Sequence, residues 1–166
     1  MEFTYAISRV MHEEHMAVLG LLEKIEQLLN SNLGTEAPEA TTGDTRLLLG
    51  TMKAEINTEI KLHFAFEEEH LFPLFEEAGA GDMNSILINE HRVLMPLGLR
   101  LAEMAGQAGS DGFTDDSWAE FKMSAGQFID GLRSHVAKEE MGMVPMLDDL
   151  IDEDKDAELM NIYKFS

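Results

Sequence analysis

The fold is decided by the stretch His63-Phe64-Ala65-Phe66-Glu67-Glu68-Glu69-His70-Leu71-Phe72-Pro73. His63 and Glu67 are four residues apart, so in a helix both side chains leave the same face, one turn apart. Apolar residues flank this pair on that face, namely Ile56, Ile60, Leu71 and Leu74. Burying an imidazole and a carboxylate among apolar groups is costly unless each finds a partner. The stretch therefore predicts a buried helix face on which two polar groups share a partner.

The same H-x-x-x-E pattern returns near the C-terminus. It reads His135-Val136-Ala137-Lys138-Glu139-Glu140 and is followed by the apolar residues Met146 and Leu147. Two such units on two apolar helix faces indicate one common partner, which we expect to be a metal ion or a pair of ions.

Composition limits the possible classes of protein and site. At 166 residues we expect one domain over 1–166, with a bundle core at about 4–149 and a short tail at 150–166. Without cysteine there are no disulfides, thiolate zinc sites or iron–sulfur clusters. The formal net charge of −20 argues against nucleic-acid and membrane-surface partners. Because the N-terminus lacks a signal-peptide pattern and no apolar run approaches membrane-spanning length, we expect a soluble cytoplasmic protein.

Hydrophobic periodicity predicts four helices of similar length. The first runs from about Thr4 to Asn32, and the second from about Asp44 to Ala78 with Gly79 as its cap. The third starts after Asp82 and ends at a loop from Gly106 to Gly112, and the fourth starts at Thr114 to Ser117. We expect bends at Pro73, Pro96 and Pro145, a turn beginning within Asp148 to Asp156, and a short tail helix to Tyr163.

This arrangement predicts an all-α protein, an up-down-up-down four-helix bundle with short connections. Each predicted helix places one histidine on its inward face: His15, His63, His91 and His135. Glu67 and Glu139 add two carboxylates. Neutral imidazole with carboxylate suits iron, zinc or manganese, and six ligands fit two ions better than one. We expect His12 and His70 to lie outside this set, because His12 is off the apolar seam and His70 stands beside a run of glutamates.

With these residues in place the chain resembles the haemerythrin-like family of HHE cation-binding domains. The resemblance extends from about Val10 to Leu147 and is carried by the two H-x-x-x-E-E units, by Leu71-Phe72-Pro73, and by Glu90-His91-Arg92. It implies a haemerythrin-like bundle with two non-haem iron ions joined by an oxo or hydroxo bridge. In that centre Glu67 and Glu139 would bridge the ions, and the four histidines would be terminal ligands.

One departure from oxygen-carrying haemerythrins bears on function. Those proteins look like H-x-x-x-H on the third helix, whereas the position four residues after His91 is Met95, and thioether is a poor ligand for ferric iron. Four histidines, two bridging glutamates and one solvent bridge fill about 10 of the roughly 12 positions of two six-coordinate irons. The count predicts about two open positions.

Three functions are compatible with such a centre. The first is binding or sensing of a small ligand such as oxygen, nitric oxide or peroxide. The second is a di-iron oxidoreductase that reduces peroxide or nitric oxide or repairs iron centres, for which an external reductant is needed. The third is a metal store or interaction module without redox chemistry. Reversible, stoichiometric spectral change favours the first, catalytic turnover the second, and full function with zinc the third.

Overall fold

The computed structural model describes residues 2–166, which form five helices and contain no strand. They are α1 (Ala6–Asn30), α2 (43–77), α3 (Gly81–Asp111), α4 (115–150) and α5 (Glu153–Lys164). Within α2, α-helical Gly43–Thr58, Phe64–Phe66 and Phe72–Glu77 alternate with π-helical Glu59–His63 and Glu67–Leu71. Within α4, π-helical Glu139–Met143 joins Asp115–Lys138 to Val144–Leu150.

The first four helices form the expected up-down-up-down bundle. Neighbours in the chain pack against one another, and α4 returns to pack against α1. Only residues 78–80 separate α2 from α3, and such short connections make consecutive helices antiparallel. Helix α5 lies along α1.

The buried apolar residues divide into two clusters. The distal cluster includes Ile25, Met52, Leu101, Phe121 and Phe128, and the terminal cluster includes Ile7, Met11, Phe75, Leu87 and Leu147. On every helix of the bundle a buried histidine lies where one cluster gives way to the other, as His15 does between Met11 and Val18. The polar residues therefore form a layer across the bundle, closed above and below by apolar packing.

Pro73, Pro96 and Pro145 all lie within helices that continue past them. Pro73 and Pro145 each lie in the first turn of the α-helical segment that follows a π-helical one. A π-helical turn shifts the backbone bonding by one residue, which lets a helix continue past a residue that has no N–H to donate. Pro96 lies inside α3, which remains helical throughout.

The prediction of a loop from Gly106 to Gly112 is wrong for all but its last residue. Helix α3 continues to Asp111 and ends at Gly112, whose φ of 82° suits glycine. Ala105 and Ala108 are buried in the distal cluster, so packing outweighs the low helix propensity of the glycines between and around them.

The acidic segment from Asp148 to Asp156 is helical except at residues 151–152. Asp148 lies inside α4, the chain turns only at residues 151–152, and α5 follows. Two of these acids hold the start of α1: Asp148 accepts hydrogen bonds from the backbone N–H groups of Thr4 and Tyr5, both at 2.9 Å. Asp156 accepts from Ala6 and Ile7 at 3.1 and 2.8 Å. Carboxylates there satisfy free donors and interact favourably with the positive end of the helix dipole.

No helix in residues 2–166 is both long enough and apolar enough to cross a membrane.

Candidate metal centre

Four histidines from four helices point their Nε2 atoms at one another in the polar layer. His15 and His63 bring theirs to 3.2 Å, and His91 and His135 bring theirs to 3.0 Å. All four side chains are essentially buried. The structure thus assembles the histidines that the sequence placed on separate inward faces.

Glu67 and Glu139 each connect the two histidine pairs. Glu67 places Oε1 2.7 Å from His63 Nε2 and Oε2 3.2 Å from His91 Nε2. Glu139 places Oε2 2.9 Å from His15 Nε2 and Oε1 2.8 Å from His135 Nε2. Each carboxylate thus offers one oxygen to each pair, which is the geometry of a bridging ligand.

Two overlapping groups of potential ligands result. The first half-site comprises His15, His63, Glu67 and Glu139, and the second comprises Glu67, His91, His135 and Glu139. Within each group the ligand atoms lie within 4.8 Å of one another, close enough to surround a single ion. Both groups consist of imidazole and carboxylate, which suits iron, zinc or manganese.

A second set of carboxylates binds the outer ring nitrogens. We call them the outer carboxylates: Glu14, Glu68, Glu90 and Glu140. Each lies close to the Nδ1 atom of one histidine. Glu14 is 2.6 Å from His63 and Glu68 is 2.8 Å from His91. Glu90 is 3.0 Å from His135 and Glu140 is 2.5 Å from His15. A carboxylate on Nδ1 holds the proton there and leaves the Nε2 lone pair for a metal.

The outer carboxylates follow the order of the bundle. Helix α1 supplies the partner of the histidine on α2, α2 serves α3, α3 serves α4, and α4 serves α1. The sequence indicated a solvated face for Glu68 and Glu140, with one such residue able to hydrogen-bond a ligand histidine, and gave no role to Glu14 or Glu90, although each of the four is adjacent in the chain to a proposed ligand. They lie in the pairs Glu14-His15, Glu67-Glu68, Glu90-His91 and Glu139-Glu140. Because each acts on the next helix, sequence adjacency does not reveal the partner.

The electrostatics of this layer favour positive charge. Burial alone would lower the pKa of His15, but the carboxylates of Glu139, Glu140 and Glu67 outweigh it and raise that pKa to about 11. Burial would raise the pKa of Glu67, yet the surrounding histidines, His63 foremost, hold it well below its usual value. A cation held between these groups would supply the positive charge that the shifts favour.

Three buried oxygens supply a direct test of whether the residues fit a metal. Both carboxylate oxygens of Glu67 and Oε1 of Glu139 are buried and accept no hydrogen bond. Such atoms cost free energy unless something coordinates them. Because all three belong to the proposed bridging residues and face imidazole nitrogens, the set fits a pair of divalent or trivalent ions.

The structure corrects the proposed position of an extra ligand on the third helix. Met95 is 37% exposed, so its side chain does not share the buried face of His91. Two buried residues lie one turn from His91: Leu87, four residues before it in the terminal cluster, and Leu94, three residues after it in the distal cluster. The exposure of Met95 argues against the expectation that residue 95 points at the same ion, and Leu87 is the buried residue at the same spacing of four.

The two remaining histidines lie outside both ligand groups. The Nδ1 of His12 is 2.6 Å from Glu140, which also binds His15, so this carboxylate links the two rings. His70 is partly exposed, and its nearest carboxylate is that of Glu69 at 3.7 Å.

Glu59 is a buried acid that sequence analysis missed. It lies one turn before His63, with Oε1 3.9 Å from the Nε2 of that histidine, and it is only 7% exposed. Burial raises the pKa of this carboxyl above its usual value. The signal in the sequence was the longer pattern E-x-x-x-H-x-x-x-E over residues 59–67.

Comparison with known families also indicates a cation-binding domain. The family described as the hemerythrin HHE cation binding domain matches residues 6–154, which include all six proposed ligands. A search of curated proteins found no match.

Proposed function

The chain belongs to the family of hemerythrin HHE cation binding domains, and we propose that it is a di-iron protein that binds or senses oxygen, nitric oxide or peroxide. The observation that carries this proposal is the pair of four-ligand groups that share Glu67 and Glu139. Iron, when bound, supplies one-electron redox chemistry and coordination positions for a small molecule.

In this proposal His15 and His63 hold one iron, His91 and His135 hold the other, and the two glutamates bridge them. The outer carboxylates orient the rings before any metal arrives, so little side-chain freedom is lost on binding. They also keep each imidazole in the tautomer that presents Nε2 inward.

The surroundings of the layer favour a small ligand. Phe64 stacks on His91 with the ring centres 3.9 Å apart, and Phe72 lies against the same ring at 5.7 Å. The apolar clusters above and below exclude bulk water from the centre. A diatomic molecule or peroxide is the size of ligand that such an enclosed site admits.

One observation favours a second candidate, a di-iron oxidoreductase that turns over peroxide or nitric oxide with an external reductant. The buried positions one turn from His91 hold Leu87 and Leu94, apolar residues that cannot fill a coordination position. Leu87→His should add a fifth imidazole, lengthen the life of an oxygen adduct and slow any turnover. Met95→His is the matched control and should change neither. Equal effects of the two substitutions would refute the assignment of position 87.

The proposal is tested by metal analysis and optical spectra of protein purified without oxygen, before and after exposure to air. We expect close to two irons per chain and a reversible spectral change with one ligand molecule per iron pair. Continuous consumption of peroxide or nitric oxide would instead support the oxidoreductase. Full biological function with zinc would support a metal store or interaction module. One metal per chain with both bridging glutamates unbound would refute a dinuclear centre.

A further inference from the structure

A cavity of about 160 Å³ reaches the first half-site from the side of α1, α2 and α5. Its lining includes Glu14, Glu55, Glu59, Leu62, His63 and Tyr163. His63, one of the proposed ligands, is among its lining residues, so the cavity borders the first half-site, and we call it the path to that half-site.

Three carboxylates are spaced along this path. Glu55 is exposed, Glu14 is half-buried, and Glu59 is buried beside His63. Among residues 2–166, no lysine or arginine lines the cavity. Because the low-dielectric walls of a cleft focus the field of like charges, the path attracts cations and repels anions.

Glu59 distinguishes this path from an ordinary acidic surface. Its side chain is 92% buried, lines the cavity, and makes no hydrogen bond within residues 2–166. Its nearest ionisable partner is His63, at 3.9 Å, and a buried carboxyl group without a hydrogen bond destabilises the protein unless a cation or proton accompanies it. Glu59 also lies outside both four-ligand groups, so bridging the two ions does not explain its presence.

The surroundings of the second half-site differ. Phe64 and Phe72 cover His91, and the outer carboxylate Glu90 is paired with Lys138 at 2.6 Å. An ammonium group beside Glu90 opposes the approach of a divalent cation from that side. The charges therefore favour loading through the first half-site.

We propose that Glu14, Glu55 and Glu59 form the loading route for ferrous iron, with Glu59 as the carboxylate that receives the ion before it passes to His63 and Glu67. The inference rests on the proposed di-iron function. The ion is drawn to Glu55 at the mouth, exchanges water for the Glu59 carboxylate inside the cavity, and then exchanges it for the imidazole of His63. Glu14 serves two roles, because it lines the cavity and also holds the Nδ1 proton of His63.

The test follows metal loading, with Glu59→Gln and Glu55→Gln as the main variants. Glu77→Gln, an exposed acid on the same helix that does not line the cavity, is the matched control for loss of one charge. Metal-free full-length protein is mixed with ferrous iron under nitrogen, quenched at intervals with a strong chelator, and assayed for protected iron. Thermal unfolding of each variant checks that it is folded.

We expect Glu59→Gln to slow loading at least about tenfold while still reaching two irons per chain, within the range by which charged clefts alter association rates. Glu55→Gln should slow loading less, and Glu77→Gln should leave it unchanged. Added salt should slow wild-type loading more than that of the Glu55→Gln/Glu59→Gln double variant.

Several outcomes would overturn the loading route. A wild-type rate in Glu59→Gln at full stoichiometry would show that iron reaches the centre another way, and the di-iron proposal would survive. A final content of one iron in Glu59→Gln would make that residue a permanent ligand rather than a carrier. Equal slowing by Glu77→Gln would assign the effect to overall charge. Failure of the wild-type protein to hold two irons would refute the proposed function itself.

Discussion

The two half-sites offer the same ligands in different surroundings. Each provides two histidine Nε2 atoms and one oxygen from each of Glu67 and Glu139. The first opens toward a cavity lined by acids, whereas aromatic rings and the Glu90–Lys138 ion pair border the second. The half-sites therefore match in the ligands that they offer to a metal, and differ in the charges and rings that a metal would meet as it approaches.

The largest effect is expected from removing a residue that belongs to both half-sites. Glu139→Ala deletes one oxygen from each group, and no neighbouring carboxylate is placed to replace it, because Glu140 is bonded to His12 and His15. Metal content should fall from two ions per chain to one or none. Glu69→Ala, which removes an exposed acid beside the other unit, is the control and should retain two.

Removing the metal should affect the layer between the two apolar clusters first. Within residues 2–166, buried oxygens of Glu67 and Glu139 are then left without a hydrogen-bond partner. A metal present at about 1,000 times its dissociation constant stabilises the folded protein by about 4 kcal/mol. Its removal should therefore lower Tm by on the order of 10 °C. Calorimetry with and without chelator measures this fall, and hydrogen exchange should rise first near the layer. An unchanged Tm would mean that the native protein holds no metal.

The pattern H-x-x-x-E located the buried residues that we propose as inner ligands, because a helix period of 3.6 fixes which side chains share a face. His63 with Glu67 and His135 with Glu139 were therefore predictable without a structure. The roles of Glu14 and Glu90 were not predictable, because each binds a histidine on the next helix. The periodicity of one helix carries no information about its distance from another. The interpretation of Met95 depended on spacing for a related reason: a spacing of four allows a partner before or after His91, and of positions 87 and 95 only Leu87 is buried.

The outer carboxylates provide a finer comparison of the half-sites. Glu14→Gln should weaken the hold of His63 on the first ion, and Glu68→Gln that of His91 on the second. Loss of such partners typically lowers metal affinity 10- to 100-fold, about 1.4–2.7 kcal/mol. Mössbauer spectra of the iron-loaded variants should show one of two iron signals displaced in each case. If either substitution displaced both signals equally, the half-sites would be too strongly coupled to treat separately.

The smallest expected effect lies at the start of α1, the helix that carries His15 and Glu14 to the first half-site. Asp148 anchors that start by accepting two backbone hydrogen bonds. Although burial would raise the pKa of Asp148, these bonds hold it below its usual value of 3.8. A carboxyl whose folded pKa is depressed stabilises the protein above the pKa of the unfolded chain, and loses that contribution as pH falls through the folded value.

Asp148→Asn should therefore destabilise the metal-loaded protein at pH 7 by about 1 kcal/mol, as the loss of a helix cap does. The difference from wild type should stay constant down to about pH 5, because the carboxyl remains ionised there, and should shrink only below its usual value of 3.8. Denaturant unfolding at several pH values measures it. Because α1 serves only the first half-site directly, the Mössbauer signal of the second should be unchanged. A stability difference that already shrank between pH 7 and pH 5 would show that another group, and not Asp148, carries the effect.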